Sequence, residues 1–282
     1  MSVVETPSAP RSLLFGRLLV TAGAAVWIVG TLVGMGLIGG EGVAEQGEGL
    51  FSDSATLIAP HGPAFSIWPV IYVFLAGYIV WQWLPASAHS RWAAATRMPA
   101  AASLALNGLW LLTVFAGWIG VSVLVMLGIV ASLGWILRAT ARLPREGLLP
   151  DIAVGGTFGL YLGWICVATC ANIASWLVAL GVAADDGLAT ILTVAVLVVV
   201  VVLAAFLLLM ARHRAFQAAF TAAVVWGTGW VVVGRLVGEL INPAVAGAAA
   251  VAALAVAVLG VLHLIRFRGV TRAASDPGSA PA

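Results

Sequence analysis

YLGWICVATCAN, residues 161–172, lies inside a long apolar run and sets Tyr161, Trp164, Ala168 and Asn172 at offsets 0, 3, 7 and 11. At 3.6 residues per turn these four side chains share one helix face. The rest of that helix suits lipid, but a tyrosine and an asparagine at membrane depth need partners. The stripe is therefore expected to look into protein or onto a ligand.

The composition around it agrees. Of 282 residues, 62% are hydrophobic and 9% charged, with a mean hydropathy of +1.11. That profile describes a polytopic membrane protein and excludes an ordinary soluble core. The chain has no lysine, and its 13 basic residues are all arginine. A net charge of +2, so dispersed, does not point to nucleic acid. The two cysteines, Cys166 and Cys170, stand one turn apart on one helix. On a rigid helix that spacing defines neither a disulfide nor, alone, a metal site.

Apolar runs long enough to cross a bilayer cover 17–39, 64–85, 99–117, 119–139, 152–180, 187–210, 216–235 and 243–265. The third and fourth are split around Gly117–Gly120 and predict a tight helical hairpin. The first is read as a retained span rather than a cleaved signal peptide, because it ends in GG without a small-residue cleavage pattern. Residues 1–16 and 266–282 read as tails, the first a flexible one. Alternate connections carry Arg11 and Arg17, Arg91 and Arg97, Arg138, Arg142 and Arg145, Arg212 and Arg214, then Arg266, Arg268 and Arg272. The other connections carry Glu41, Glu45, Glu48 and Asp53, then Asp185 and Asp186. By the positive-inside rule the arginine side, with both termini, is cytoplasmic, as expected of a bacterial plasma-membrane protein. The exception, Arg235, stands four residues before Glu239 and predicts an interfacial ion pair; a proton- or anion-coupling pair is the sharper alternative. The one long connection, 40–62, lies outside and ends PHGP; it is either a lid or a disordered loop.

Three spans bring aromatic and amide groups to similar depths. Trp68 and Tyr72 lie on the second, Asn107 and Trp110 on the third, and Tyr161, Trp164 and Asn172 on the fifth. At about 1.5 Å per residue, Tyr72 falls roughly 12 Å below the outer edge. Trp110 falls roughly 17 Å up a core about 30 Å thick, with Trp164 at a similar height. Rings could stack on a flat apolar ligand while amides fix its edge. Spacing alone does not separate such a pocket from helix packing, because mid-membrane asparagines commonly just join helices. Trp81, Trp83, Trp92, Trp118, Trp135 and Trp176 fall near span ends, where interfacial belts form, and Trp27, Trp226 and Trp230 suit helix packing.

Other signals are weaker. Gly155, Gly159 and Gly163 form a ridge for close helix approach, as do Gly30 with Gly34 and Gly234 with Gly238. His61 could touch a ligand from the outer loop, whereas His89, His213 and His263 are expected in solvent at the cytoplasmic edge. Pro69 sits in the first turn of its span, where proline is tolerated. The sequence carries no metal-ligand cluster, nucleotide loop or nucleophile triad.

LALNGLW (104–110) and YLGWICVATCAN (161–172) resemble the TspO/MBR family, the tryptophan-rich sensory proteins related to translocator protein. Pro63, Phe65, Trp68 and Tyr72 look like its second-span motif, with Phe65 to Trp68 one residue shorter than the family pattern. Leu160 stands where the family usually has proline. The resemblance covers roughly residues 17–181. It implies an antiparallel five-helix bundle, often a homodimer, that binds porphyrins, sterols and aromatic ligands beneath the first long loop. By position it makes Trp68, Asn107, Trp110, Trp164 and Asn172 pocket residues and Ala168 a small wall residue. Tyr72 and Tyr161 join them as ligand-binding candidates through their place in the same motifs.

The expected fold is thus an all-α polytopic membrane protein with eight transmembrane helices. A TspO-like five-helix bundle (17–181) precedes a three-helix extension (187–265) that resembles nothing else. The expected function is binding and sensing of a planar hydrophobic ligand, a tetrapyrrole first and a sterol-like lipid second, between spans two, three and five. No cofactor is required by this reading; a tetrapyrrole would be the ligand. The alternative is a secondary carrier or exporter, although matched broken helices and intramembrane charges are not evident. A porphyrin-degrading enzyme lacks an acid–base or metal constellation. A fourth reading makes the last three spans a partner-docking module.

Overall fold

A computed structural model describes the backbone of residues 10–275, apart from 35, 39–48 and 51, and side chains between 11 and 266. Most of the expected N-terminal tail, the C-terminal residues 276–282, the outer-loop glutamates Glu41, Glu45 and Glu48, and the side chains of Arg268 and Arg272 lie outside the described residues. The described residues form helices and turns without strands.

Among the described residues, eight helices are long and apolar enough to cross a membrane. They are α1 (Pro10–Gly34), α2 (Ile67–Trp83), α3 (Arg91–Phe115), α4 (Ile119–Ala141), α5 (Thr157–Ala179), α6 (Gly187–Met210), α7 (Arg214–Val237) and α8 (Pro243–Ser275). A 3-10 turn, Gly62–Ser66, leads into α2, and a π-helical stretch, Asp151–Gly156, leads into α5. All eight expected spans are present, with three clear changes of boundary, one of them the run of α8 to Ser275, inside the segment expected to be a C-terminal tail.

The α1 helix begins at Pro10, inside the segment expected to be a tail. The α3 helix begins at Arg91, well before the expected 99. Pro99 lies two turns inside the helix. The true start is fixed by polar caps. Ser90 Oγ accepts from the Ala93 amide at 3.0 Å, while Glu146 accepts from the Arg91 amide at 2.7 Å and the Trp92 amide at 3.3 Å. These acceptors satisfy the free N–H groups of a first turn. The α3–α4 hairpin closes as expected. Gly117 adopts φ +70°, the Gly117 amide bonds Val114 O at 2.9 Å, and the Trp118 amide bonds Thr113 O at 2.9 Å. That pair of bonds is a Schellman ending, which glycine permits without Cβ strain.

The helices α1, α3, α4 and α5 pack in series; α7 packs on α5, α8 on α7, and α6 on α8. Glycine sets the closest crossings. A Cβ on Gly30 would meet Gly108 O at 2.3 Å, so α1 and α3 touch backbone to backbone. The Gly159–Gly163 ridge packs within the chain: a Cβ at either position would meet Phe216 O at 2.6 Å or Phe220 O at 2.5 Å on α7. In contrast, α2 makes few close backbone approaches. Large rings hold it off: Tyr72 meets Trp27 at 5.0 Å between centroids, and Tyr78 meets Phe158 at 4.8 Å. This spacing gives the molecule room for an aromatic chamber.

Several residues expected in solvent or at the interface are interior. Trp92 is 0% exposed and donates to Pro144 O at 2.8 Å, and Trp81 is also buried. His213 is buried 4.3 Å from the Trp92 ring, with Nε2 3.0 Å from Thr140 O. Arg97, expected in a loop, is buried on α3; its Nε donates to Gln82 Oε1 at 2.9 Å and its Nη2 to Ser87 O at 3.1 Å. Closeness to a span end does not tell which way a side chain faces. Trp83, Trp118 and Trp135 do face outward, as a belt requires.

Candidate functional site

Beneath the segment that precedes α2 lies a cavity of about 60 Å³, lined by four aromatic rings and by smaller side chains. Trp68 of α2, Trp110 of α3, and Trp164, Ala168 and Asn172 of α5 all face it. Ser52, Ala59, Pro60 and Phe65 close it from the loop side. Five of the eight residues singled out from the sequence thus line one space.

Trp68 is the centre of the ring packing. It lies nearly parallel to Trp110 at 6.5 Å and 24°, and edge-on to Trp164 at 6.1 Å and 83°. Phe65 meets the Trp164 ring edge-on at 5.8 Å. Edge-to-face and offset contacts of this kind fit the quadrupoles of the rings. Tyr72, Asn107 and Tyr161 lie one turn deeper and support the chamber rather than line it. Tyr72 sits 5.4 Å and Tyr161 6.2 Å from Trp68, and Asn107 Nδ2 donates to the Tyr161 hydroxyl at 2.8 Å.

On the wall, Trp110 Nε1 donates to Asn172 Oδ1 at 2.9 Å, and Asn172 Nδ2 donates to Ser122 Oγ at 3.0 Å. One amide therefore ties α3, α4 and α5 together and fixes the plane of the Trp110 ring. Among these residues two buried polar atoms have no hydrogen-bond partner: Nε1 of Trp164, whose side chain lines the cavity, and Asn107 Oδ1 below it. A buried donor left without an acceptor costs about 1–3 kcal/mol, so a ligand acceptor that reached Trp164 Nε1 would recover that cost.

Sequence reasoning missed Met126 on α4, Ala171 and Ser175 on α5, and the loop residues Ser52, Ala59 and Pro60. Ser175 lies one turn beyond Asn172 and could have been read from the same stripe. Met126 gives no signal in an apolar helix, and the loop residues reach the cavity only through tertiary folding. Among the described residues no group of three or more His, Cys, Asp or Glu could hold a metal. Cys166 and Cys170 are free thiols, and Cys170 Sγ donates to Cys166 O at 3.3 Å.

Eight helices long and apolar enough to cross a membrane, four of which line a loop-covered aromatic cavity, define a polytopic α-helical membrane protein. The family model for TSPO-like protein matches residues 18–262, and the chain belongs to that family. The match continues through most of α8, so it takes in the three C-terminal helices as well as the segment that carries the motifs. No curated protein and no solved structure matches the chain.

Proposed function

We propose that the chamber receives a planar hydrophobic ligand, a tetrapyrrole foremost and a sterol-like lipid next, and that the protein binds and senses it. The observation that carries this reading is the set of Trp68, Trp110 and Trp164 around one cavity, with Trp164 Nε1 buried and unpartnered. Two rings held 24° from parallel suit a flat guest, and the free indole N–H suits its polar edge. Ligand sites usually span about 300–1,000 Å³. A cavity of about 60 Å³ is a closed state, so binding requires the loop-side wall to move.

The carrier reading gains nothing comparable. Its mark would be charge in the substrate path. Both buried arginines instead serve tertiary contacts: Arg97 holds Gln82 and Ser87 O, and Arg235 holds loop carbonyls. The arginine distribution supports placing both termini in the cytoplasm and the chamber's loop side outside. The division into a bundle over 17–181 and an extension over 187–265 belongs to the same proposal, as does a homodimer.

The test is direct binding of protoporphyrin IX to the protein in lipid nanodiscs, followed by competition with cholesterol. Saturable binding that cholesterol does not displace supports a tetrapyrrole site, and displacement supports a shared apolar site. Absence of saturable binding by either would refute the proposal.

A further inference from the structure

The segment Ser52–Ser66, which closes the cavity, has two sides. Ser52, Ala59, Pro60 and Phe65 face the rings, while Leu57 and Ile58 are buried the other way. Those two side chains share an apolar cluster with Ala189 and Leu197 of α6, Val231 of α7, and Val245 and Ala249 of α8. The covering segment is therefore docked on the C-terminal helices by its own small core.

Polar contacts repeat the arrangement. Arg235 of α7 is 1% exposed and donates from Nη2 to Asp53 O at 3.0 Å and from Nη1 to Thr56 O at 3.3 Å. The ion pair with Glu239 expected from spacing gives way to these loop contacts. Trp226 Nε1 donates to Ala64 O at 2.9 Å, and the His61 amide donates to Trp230 O at 3.1 Å. Within the segment, Asp53 Oδ2 accepts from the Gly62 amide at 2.8 Å and lies 2.7 Å from His61 Nδ1. The last three turns of α7 thus grip the segment at four carbonyl or amide groups, and Asp53 closes it into a loop.

We infer that α6, α7 and α8 form a latch platform that holds Ser52–Ser66 shut over the chamber, with Arg235 as its principal positioning residue. The inference that this latch governs ligand access rests on the proposed binding role of the chamber; the latch itself does not. A guanidinium satisfied by backbone carbonyls suits this task, because it grips a loop whatever its side chains and remains charged. Opening need only break these contacts and expose Leu57 and Ile58, leaving the α3–α5 wall with its Asn172 bonds in place.

The experiment is hydrogen–deuterium exchange of the full-length, ligand-free protein in nanodiscs, comparing wild type with Arg235→Gln, Arg235→Lys and the exposed control Glu239→Gln. Charged hydrogen bonds of this kind typically change an opening equilibrium by tenfold or more. We expect amides of residues 56–66 to exchange at least about tenfold faster in Arg235→Gln, to be intermediate in Arg235→Lys and unchanged in Glu239→Gln, with α5 unaffected. If Arg235→Gln loosens α5 and α7 as well, Leu57→Ala, which removes the anchor from the loop side alone, must raise exchange in 56–66 selectively. Wild-type exchange of that segment in Arg235→Gln, or in Leu57→Ala where the first variant is globally loosened, would overturn the latch. Protoporphyrin IX association, measured by stopped flow on the same variants, should accelerate with loop opening. If the wild type does not bind the porphyrin, the binding role falls while the exchange result still decides the latch.

Discussion

Replacing Asn172 by alanine removes a bond that both orients the Trp110 ring and joins three helices. Two hydrogen bonds disappear, from Trp110 Nε1 at 2.9 Å and to Ser122 Oγ at 3.0 Å. Interhelical bonds in a bilayer average about 0.6 kcal/mol and reach about 1.7, so the pair should be worth roughly 1–3 kcal/mol. Ser122→Ala leaves the Trp110–Asn172 bond in place and should cost about 0.5–1 kcal/mol. Because the two variants share one bond, the double variant should be less destabilised than the sum of the singles, by about 0.5 kcal/mol or more. The assay is reversible unfolding in mixed micelles, followed by helix content. An Asn172→Ala cost within about 0.3 kcal/mol of zero, or strict additivity with Ser122→Ala, would refute the reasoning. Loss of the bond also removes one restraint on the wall ring that lies 24° from Trp68, so the variant should weaken binding of a flat ligand beyond its effect on stability.

Gly30→Ala would place a methyl 2.3 Å from the Gly108 carbonyl oxygen on the facing helix, and neither backbone can give way cheaply. It should destabilise the α1–α3 pair by about 3 kcal/mol or more, seen as lost expression or a sharply lower unfolding midpoint. Trp118→Ala, at a residue 62% exposed, and Trp83→Ala should leave ligand affinity unchanged, because neither ring touches the chamber. A Cβ at 234 would stand 3.5 Å from that of His61, within the span of a disulfide. Cysteines at 61 and 234, with Cys166 and Cys170 replaced by alanine, should cross-link on oxidation, block porphyrin uptake, and release the block on reduction.

How far the sequence foretold this structure follows from the range of the interactions. The spans and the stripe from Tyr161 to Asn172 were legible because 3.6-residue periodicity is a local property. Asn107 with Trp110 was legible for the same reason, and their meeting with α5 followed from depth along the helix. The contacts of Trp68 with Trp164 and of Tyr161 with Asn107 needed only that these faces turn toward each other. Direction of facing was harder: Trp92 and His213 lie near helix ends but point inward, because the Pro144 carbonyl and the Thr140 carbonyl receive them. The latch was not legible. Arg235 bonds carbonyls 182 and 179 residues away, and its nearest charged neighbour in sequence, Glu239, suggested a different partner. Leu57 and Ile58 read as an unremarkable part of a loop, since a two-residue apolar pair has no period.

The account stands or falls on the chamber. The most direct measurement is a tryptophan-fluorescence titration of the purified protein with protoporphyrin IX, corrected for inner-filter absorption, beside Trp164→Ala. Trp164 is 1% exposed, lines the cavity, and has an Nε1 without a hydrogen-bond partner. Saturable quenching in the parent, weakened at least about tenfold in affinity in the variant, is the predicted result, as expected for loss of an aromatic contact and a donor together. Saturable quenching that Trp164→Ala leaves untouched would place the ligand elsewhere and contradict the account.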